Sequence, residues 1–593
     1  MDFTGISKIT RSAIRELPGS WKKINKSYLQ TLSRKENLQL NFLAILVGIG
    51  IGYGALGFRT LIGFMQNYLM HDKFGIELMS PIHHVRGYWI FLILPLGLLI
   101  STIITRYLAS EAKGHGVPEV IEAVWRKSGR IRKRIVAVKA LASSVTIAAG
   151  GSVGREGPIV QIGSALGSAL AQLLDLRPKV IKTLVGCGAA GAIAATFNTP
   201  IAGVIFAIEV IVLELKTKSF VPLVISSVFA TVVSRMYIGN EPAFYVPEYT
   251  LKSPHELIFY LLLGVVSGVV GVAIIKTLYS IEDFFDNLKV PFWMKPLGAG
   301  LVLAGLGTFV PEIYGVGYGT ISDVLQANSS FLLMFSLVFL KPIAMSITLG
   351  GGGSGGVFAP SLFIGAMVGG SFGYVVHLYF PDFTATYGAY ALVGMAALFS
   401  ATARATFTAI VILFEMTLDY SIILPLMFVC VTADQVAWAL SKESIYSLKL
   451  KRKGLNFVTD LSANVMSMTH VKSIMTTELA TIRPEMDMKY VLENILPRNH
   501  TTYPVINEKS ELLGLITKDR LLQISKDGEF AKVLEVMVPT KAIVDPEDSV
   551  SVALTKIEKS RDPRIMVVDR ATNQLVGIVS PVDFVRLNFK EMH

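Results

Sequence analysis

The chain is poor in charge. Of its 593 residues only 17% are Asp, Glu, Lys or Arg, against roughly 25% in a soluble globular protein. It has two cysteines, Cys187 and Cys430, each inside an apolar stretch, which excludes a disulfide framework and a thiolate metal site. Neither a GxxxxGK[ST] segment nor an HExxH segment occurs, so nothing supports nucleotide hydrolysis or zinc-protease chemistry, and the chain does not read as an enzyme. No apolar core precedes residue 40, and no cleaved signal peptide is expected.

Acid is scarcer than base: 44 acidic residues against 55 basic ones give a net charge of +11. The excess sits in ends and loops rather than along a nucleic-acid face. Lys8, Arg11, Arg15, Lys22, Lys23, Lys26, Arg34 and Lys35 precede the first apolar stretch, and Arg126, Lys127, Arg130, Arg132, Lys133 and Arg134 fall between two others. The positive-inside rule then predicts a cytoplasmic N-terminus and a cytoplasmic 126–134 loop.

What the chain has is apolar length. Mean hydropathy is +0.54, and stretches near the thickness of a bilayer core recur from about residue 40 to 440, whereas 451–593 reads as ordinary soluble sequence. Residues 41–64, 88–108, 220–239, 257–276, 331–349 and 421–440 are continuous spans. Residues 141–173, 184–215, 295–311, 355–380 and 388–415 are interrupted by glycine and proline. Unpaired backbone groups are costly in lipid, so such interruptions predict broken helices that face a cavity inside the protein.

Two internal repeats organise the chain. GREGPIVQIGSALG from Gly154 aligns with GGVFAPSLFIGAMVG from Gly356 at an offset of 202, pairing Gly154/Gly356, Pro158/Pro360, Ile162/Ile364, Gly163/Gly365 and Gly167/Gly369. Residues 188–210 align with 394–416 at an offset of 206, pairing Ala195/Ala401, Thr196/Thr402 and Glu209/Glu415. Two related halves are the mark of a transporter-type fold with its site where the repeats meet. In the tail, 473–488 aligns with 535–550, pairing Met475/Met537 and Pro484/Pro546, and each copy reads as strand, helix, strand, strand, helix.

The GREGP segment puts Arg155 and Glu156 in apolar surroundings, where ionisable groups are expensive and by default functional. Proline suits the first turn of a helix, so a helix starting here aims free amides and the positive end of its dipole at whatever lies in front. GGVFAP predicts an opposing helix start at Phe358–Pro360, and GHGVP at 114–118 a third. Three such ends make an anion site that needs no fixed cation. Glu156 beside it is then a carboxylate able to occupy the anion's place and leave when protonated. A salt bridge to Arg155 is the alternative, disfavoured because adjacent residues on a helix seldom face each other.

With these residues in view, KGHGVPE (113–119), GREGPIVQIG (154–163), GGVFAPSLFIGA (355–366) and Tyr446 in SIYSLKL resemble the signature segments of the CLC chloride channels and proton-coupled chloride transporters, in order and spacing over residues 40–450. The tail resembles a pair of CBS domains. The resemblance implies an all-α polytopic membrane domain of two inverted repeats of broken helices, followed by a soluble α/β CBS pair. It divides the chain into a cytosolic segment 1–39, a membrane domain 40–450, a linker 451–470 and CBS domains 471–526 and 533–590. It also implies a homodimer in the plasma or inner membrane, both termini cytoplasmic, with chloride as the bound ion and no required cofactor.

Carried over by position, the resemblance makes Glu156 the gating glutamate. It assigns the anion site to His115, Gly116, Gly154, Arg155, Gly157, Val357, Phe358, Ala359 and Tyr446, and makes Lys139, 17 residues before Glu156, a source of positive potential. A cation transporter carrying CBS domains would instead need carboxylates along a path that here is glycine, proline, phenylalanine and tyrosine.

Two departures stand out. Where the family has a serine that contacts the anion, this chain has His115, which either donates an N–H, making conduction pH-sensitive, or swings aside. Where proton-coupled members often carry a second glutamate after the residue matching Glu209, this chain has Val210, which cannot relay a proton. Glu209 itself reads as a structural residue at a helix end. The expectation is a passive, glutamate-gated chloride channel, with a chloride/proton antiporter as the alternative. CBS pairs often hold adenine nucleotides. The ribose-contacting pattern is met by Ser580 and Asp583, while Thr517 is followed by Asp519 one residue early.

Overall fold

The computed structural model describes residues 19–71, 87–213, 217–240, 252–455, 469–498, 500–527, 532–540, 542–560, 564–570 and 572–584, with Gly75, Pro247 and Tyr249 between them. Lys8, Arg11, Arg15 and most of the 451–470 linker lie outside these residues. The chain forms two compact units, one holding residues 26–455 and the other the C-terminal tail.

The first unit is helical. In chain order its helices are α1 (Gly19–Gln66), α2 (Ile90–Leu108), α3 (Val117–Arg126), α4 (Ile135–Ala148), α5 (Glu156–Leu173), α6 (Pro178–Phe197), α7 (Pro200–Phe206), α8 (Thr217–Ile238), α9 (Glu256–Asn287), α10 (Met294–Phe309), α11 (Tyr318–Leu325), α12 (Phe331–Gly350), α13 (Phe358–Tyr379), α14 (Tyr387–Ala403), α15 (Thr406–Thr417), α16 (Ile423–Leu440) and α17 (Ser447–Arg452). Among the described residues, eight helices are long and apolar enough to cross a membrane.

The breaks fall where the repeat predicts. Residues 141–173 split between Ala148 and Glu156. The 184–215 and 388–415 segments split at Asn198 and Arg404, which close α6 and α14 in the left-handed region at φ 63° and 57°. Two segments differ from the sequence expectation: 295–311 and 355–380 hold the unbroken helices α10 and α13. Pro360 sits in the first turn of α13, where it costs no hydrogen bond. The glycines beyond it serve close packing. A Cβ on Gly365 would lie 2.4 Å from the Gly394 carbonyl, and one on Gly163 in the first repeat 2.3 Å from that of Gly188. The glycines therefore let α5 lie on α6 and α13 on α14 at backbone contact. These pairs form the interior: 83% of α6 and 72% of the α13 window are buried, against 33% for the apolar windows of α1 and α2.

The tail unit adds α18 (Met488–Tyr490), α19 (Lys518–Asp527), α20 (Val533–Val536) and α21 (Val550–Ser560), with strands β1 (Thr502–Ile506), β2 (Leu512–Thr517), β3 (Ile543–Val544), β4 (Ile565–Asp569) and β5 (Gln574–Val579). β1 and β2 are antiparallel, and β3 runs parallel to β4, which pairs antiparallel with β5. The first strand expected in the first copy is reduced to a single bridge, Ile482 to Val505, whereas its counterpart β3 forms. The two copies lock reciprocally. Thr476 exchanges both backbone bonds with Ile578 of the second copy, and Val538 both with Leu515 of the first. Met475 packs at Gly577 and Met537 at Gly514 in the same crossed manner.

Candidate functional site

Three loops meet inside the helical unit. Gly154 and Gly356 exchange both backbone hydrogen bonds, at 2.8 and 2.6 Å, and the Gly355 amide donates to the Gly114 carbonyl at 3.3 Å. The contact is backbone on backbone: a Cβ at Gly157 would sit 2.3 Å from the His115 carbonyl oxygen and 3.0 Å from the Gly356 Cα. Side chains at these positions would hold the loops apart. Gly116, at φ +86°, makes the turn into α3 in a conformation other residues rarely adopt.

Each loop leads directly into a helix. The first amides engaged within α3, α5 and α13 are those of Val120, Ile159 and Ser361. The amides ahead of them in each helix are left for whatever lies in front. The glycine-proline junctions at 114–118, 154–158 and 356–360 are thus neighbours, and α13 starts at Phe358 as its sequence predicts. Around this point the ring of Phe358 packs on Phe399, Phe197 and Phe206 with centroids 4.2, 5.4 and 6.2 Å apart. Val357 and Ala359 flank it, both buried.

His115 and Tyr446 are neighbours, with ring centroids 6.1 Å apart. His115 is 2% exposed, yet neither ring nitrogen has a hydrogen-bond partner. A buried polar group without a partner normally costs stability, so an orphaned imidazole needs an explanation. Lys139 spends its buried ammonium on the carbonyls of Ala112 and Gly114, at 3.0 and 2.7 Å, and thereby fixes the loop that carries His115.

Sequence reasoning missed the counterpart of Lys139. Lys341 lies 202 positions on, is equally buried, and donates to the carbonyls of Glu312, Ile313 and Gly315, the loop before α11. The repeat offset was the signal that could have found it. That loop delivers a second missed residue, Tyr318, whose hydroxyl donates to Glu156 Oε1 at 2.6 Å. Glu156 has no solvent exposure, and its other oxygen has no partner. Arg155 does approach Glu156, Nε to Oε1 3.7 Å, contrary to the argument from adjacency. That argument holds for two residues on a helix surface. Arg155 is instead the cap preceding α5, so its side chain leaves in a different direction.

Glu209 does not face the three loops: its carboxylate accepts from the Phe407 and Thr408 amides and the Thr408 hydroxyl. Val210 is buried. In the tail unit, Asp583 accepts from both the amide and the hydroxyl of Ser580, at 2.8 and 2.7 Å, which organises the end of β5. The matching Thr517 hydroxyl caps the Arg520 amide, and Asp519 is exposed. The structure does not give the first copy the Ser580–Asp583 arrangement.

A family model described as voltage gated chloride channel matches residues 96–437. The chain belongs to that family, the CLC proteins. Two CBS domain matches follow, at 471–527 and 533–589. The chain is 30% identical over 415 residues to a Ralstonia nicotianae protein provisionally named a ClcB-like chloride channel, covering 69% of this chain and 96% of that one. It is 31% identical over 454 residues to the H+/Cl− exchange transporter ClcA of Vibrio campbellii, covering 75% and 95%. Among solved structures, a slow cyanobacterial Cl−/H+ antiporter superposes with a TM-score of 0.64 at 26% identity, over 70% of this chain and 98% of that chain. This CLC protein is a multi-pass membrane protein built for chloride transport.

Proposed function

We propose that this CLC protein exchanges chloride for protons, with the meeting point of the three loops as the anion path and Glu156 as its gate. The observation that carries the reading is Glu156 itself. A fully buried carboxylate opens helix α5, one oxygen held by Tyr318 and the other unengaged, where the amides of the helix start favour negative charge. Such a group competes with an anion for one position and vacates it on taking a proton. Proton and anion movements are thereby linked through one side chain.

In this reading chloride sheds part of its water among the backbone amides of Gly116, Gly157, Val357, Phe358 and Ala359, whereas the Gly154 amide, expected at the anion, is spent on the Gly356 carbonyl. Arg155 and Lys139 supply positive potential. Tyr446 and His115 shape the inner side, and the two orphaned nitrogens of His115 support a donor role for its ring. The family resemblance extends the proposal to a homodimer with one path per subunit and an adenine nucleotide at Ser580 and Asp583.

The exchanger reading displaces the passive channel expected from Val210, because relatives and a structural neighbour of this chain are named exchangers or antiporters. The channel remains the second reading. Val210 places a buried aliphatic side chain where a proton relay would need a carboxylate. Purified protein in vesicles under opposed pH and chloride gradients decides between them. Exchange shifts the reversal potential away from the chloride equilibrium value when pH is stepped, and a potential that ignores pH rejects exchange.

A further inference from the structure

A small cavity of ≈ 20 Å³ lies beside the gate, between α1, α5, α6 and α8. That is room for about one particle the size of a water. Two guanidinium side chains line it, Arg59 from α1 and Arg155 from the cap of α5, and the rest of its wall is mainly apolar, including Phe58, Ile159 and Ile238. The one hydroxyl, Thr196, already donates to the Ala192 carbonyl at 2.7 Å.

The charges around this cavity do not balance. Arg59 is half-buried, makes no ion pair among the described residues, and lies within electrostatic range of Arg155. Arg155 is 8% exposed, and its Nε has no hydrogen-bond partner. Glu156 pairs with Arg155, Oε1 to Nε 3.7 Å, and also accepts from the Tyr318 hydroxyl at 2.6 Å, while the Tyr318 ring lies 5.3 Å from the Arg155 guanidinium carbon. Two partly desolvated cations thus line one small recess, and among the described residues a single carboxylate, Glu156, forms an ion pair with either of them. Like charges that line one recess repel, and an anion between them relieves the repulsion.

We infer that Arg59 and Arg155 form a separate anion-binding site in front of the gate, a staging position for a monovalent anion that has lost part of its water and waits for Glu156 to move. The inference rests on the transport reading above for its role, but not for the site's existence. Arg59 is not part of the three-loop site, since it comes from the first long helix, α1. Its charge raises the local anion concentration at one mouth of the path only.

The test separates the site from the transport reading. In excised patches, where the two faces are bathed separately, Arg59→Gln raises the chloride concentration for half-maximal current on the Arg59 face by about tenfold, the size of a lost charge-assisted hydrogen bond. Half-saturation on the opposite face does not move with it. Arg59→Lys keeps the charge and recovers most of the difference. An unchanged half-saturation on the Arg59 face, or an equal rise on both faces, overturns the inference. Bromide-soaked crystals read the site without transport: an anomalous peak between Arg59 and Arg155, lost in Arg59→Gln, supports it even if no anion current is seen, and no peak in the unmutated protein overturns it.

Discussion

Glu209 and Glu415 each cap a helix in the other half of the membrane unit. Glu209, just after α7, accepts from the amides of Phe407 and Thr408 at the start of α15. Glu415, near the end of α15, accepts from the amides of Ile201 and Ala202 at the start of α7, at 3.0 and 2.7 Å. The repeat thus closes on itself through two carboxylates at helix N-termini, each satisfying amides that helix geometry leaves unpaired. Replacing either by glutamine keeps the shape and removes the charge. Glu209→Gln and Glu415→Gln are each expected to cost about 1–3 kcal/mol, read as a lower melting temperature in detergent, with anion selectivity retained. A thermal midpoint equal to the unmutated protein in both variants would show that the crossed caps carry no stability.

The gate assignment makes a sharper demand. If Glu156 leaves its position on protonation, Glu156→Gln holds a permanent mimic of the protonated form and abolishes the pH dependence of anion flux in liposomes. Proton-coupled uphill transport disappears with it. A pH profile that persists in the variant rejects Glu156 as the gate.

Tyr318 gives an independent handle on the same step. Its hydroxyl holds the Glu156 carboxylate at 2.6 Å, and hydrogen bonds to charged groups are worth about 1.5–3 kcal/mol. Tyr318→Phe removes the bond while keeping the ring under Arg155, whose guanidinium carbon lies 5.3 Å from its centroid. The closed arrangement should lose occupancy, and chloride flux at neutral pH should rise by about tenfold. Flux that falls or stays level would mean that the bond does not restrain the gate.

Much of this was legible in the chain, and the part that was not has a common cause. Glycine-proline junctions at 114–118, 154–158 and 356–360 announce helix starts, because proline fits a first turn and glycine permits close approach. The 202-residue offset places two of those junctions symmetrically. What a single pass of the sequence hides is the purpose of a glycine: Gly157 lets two loops meet, whereas Gly163 and Gly365 let helices touch, and both look like interruptions. Tyr318 was invisible for another reason. Its partner lies 162 positions away, and no local pattern marks a tyrosine as a carboxylate's donor. Lys341 was recoverable, since applying the offset to Lys139 lands on it.

The double use of glycine is testable by contrast within the membrane unit. A Cβ on Gly365 would meet the Gly394 carbonyl oxygen at 2.4 Å and the Met395 Cα at 2.7 Å, both backbone atoms that cannot step aside. Gly365→Ala must therefore push α13 off α14, the pair that carries Phe358 and Phe399, at a cost of about 1–3 kcal/mol as overpacking goes. Gly298, on the exposed side of α10, has nothing within 4 Å of its added Cβ. Gly298→Ala gains helix propensity of up to about 1 kcal/mol and loses nothing. The two single-methyl changes should therefore move the melting temperature in opposite directions, Gly365→Ala down with impaired chloride flux and Gly298→Ala level or up with flux intact. If both variants lose stability alike, the glycines of this unit act by a uniform backbone effect and not by the helix contacts described for Gly365.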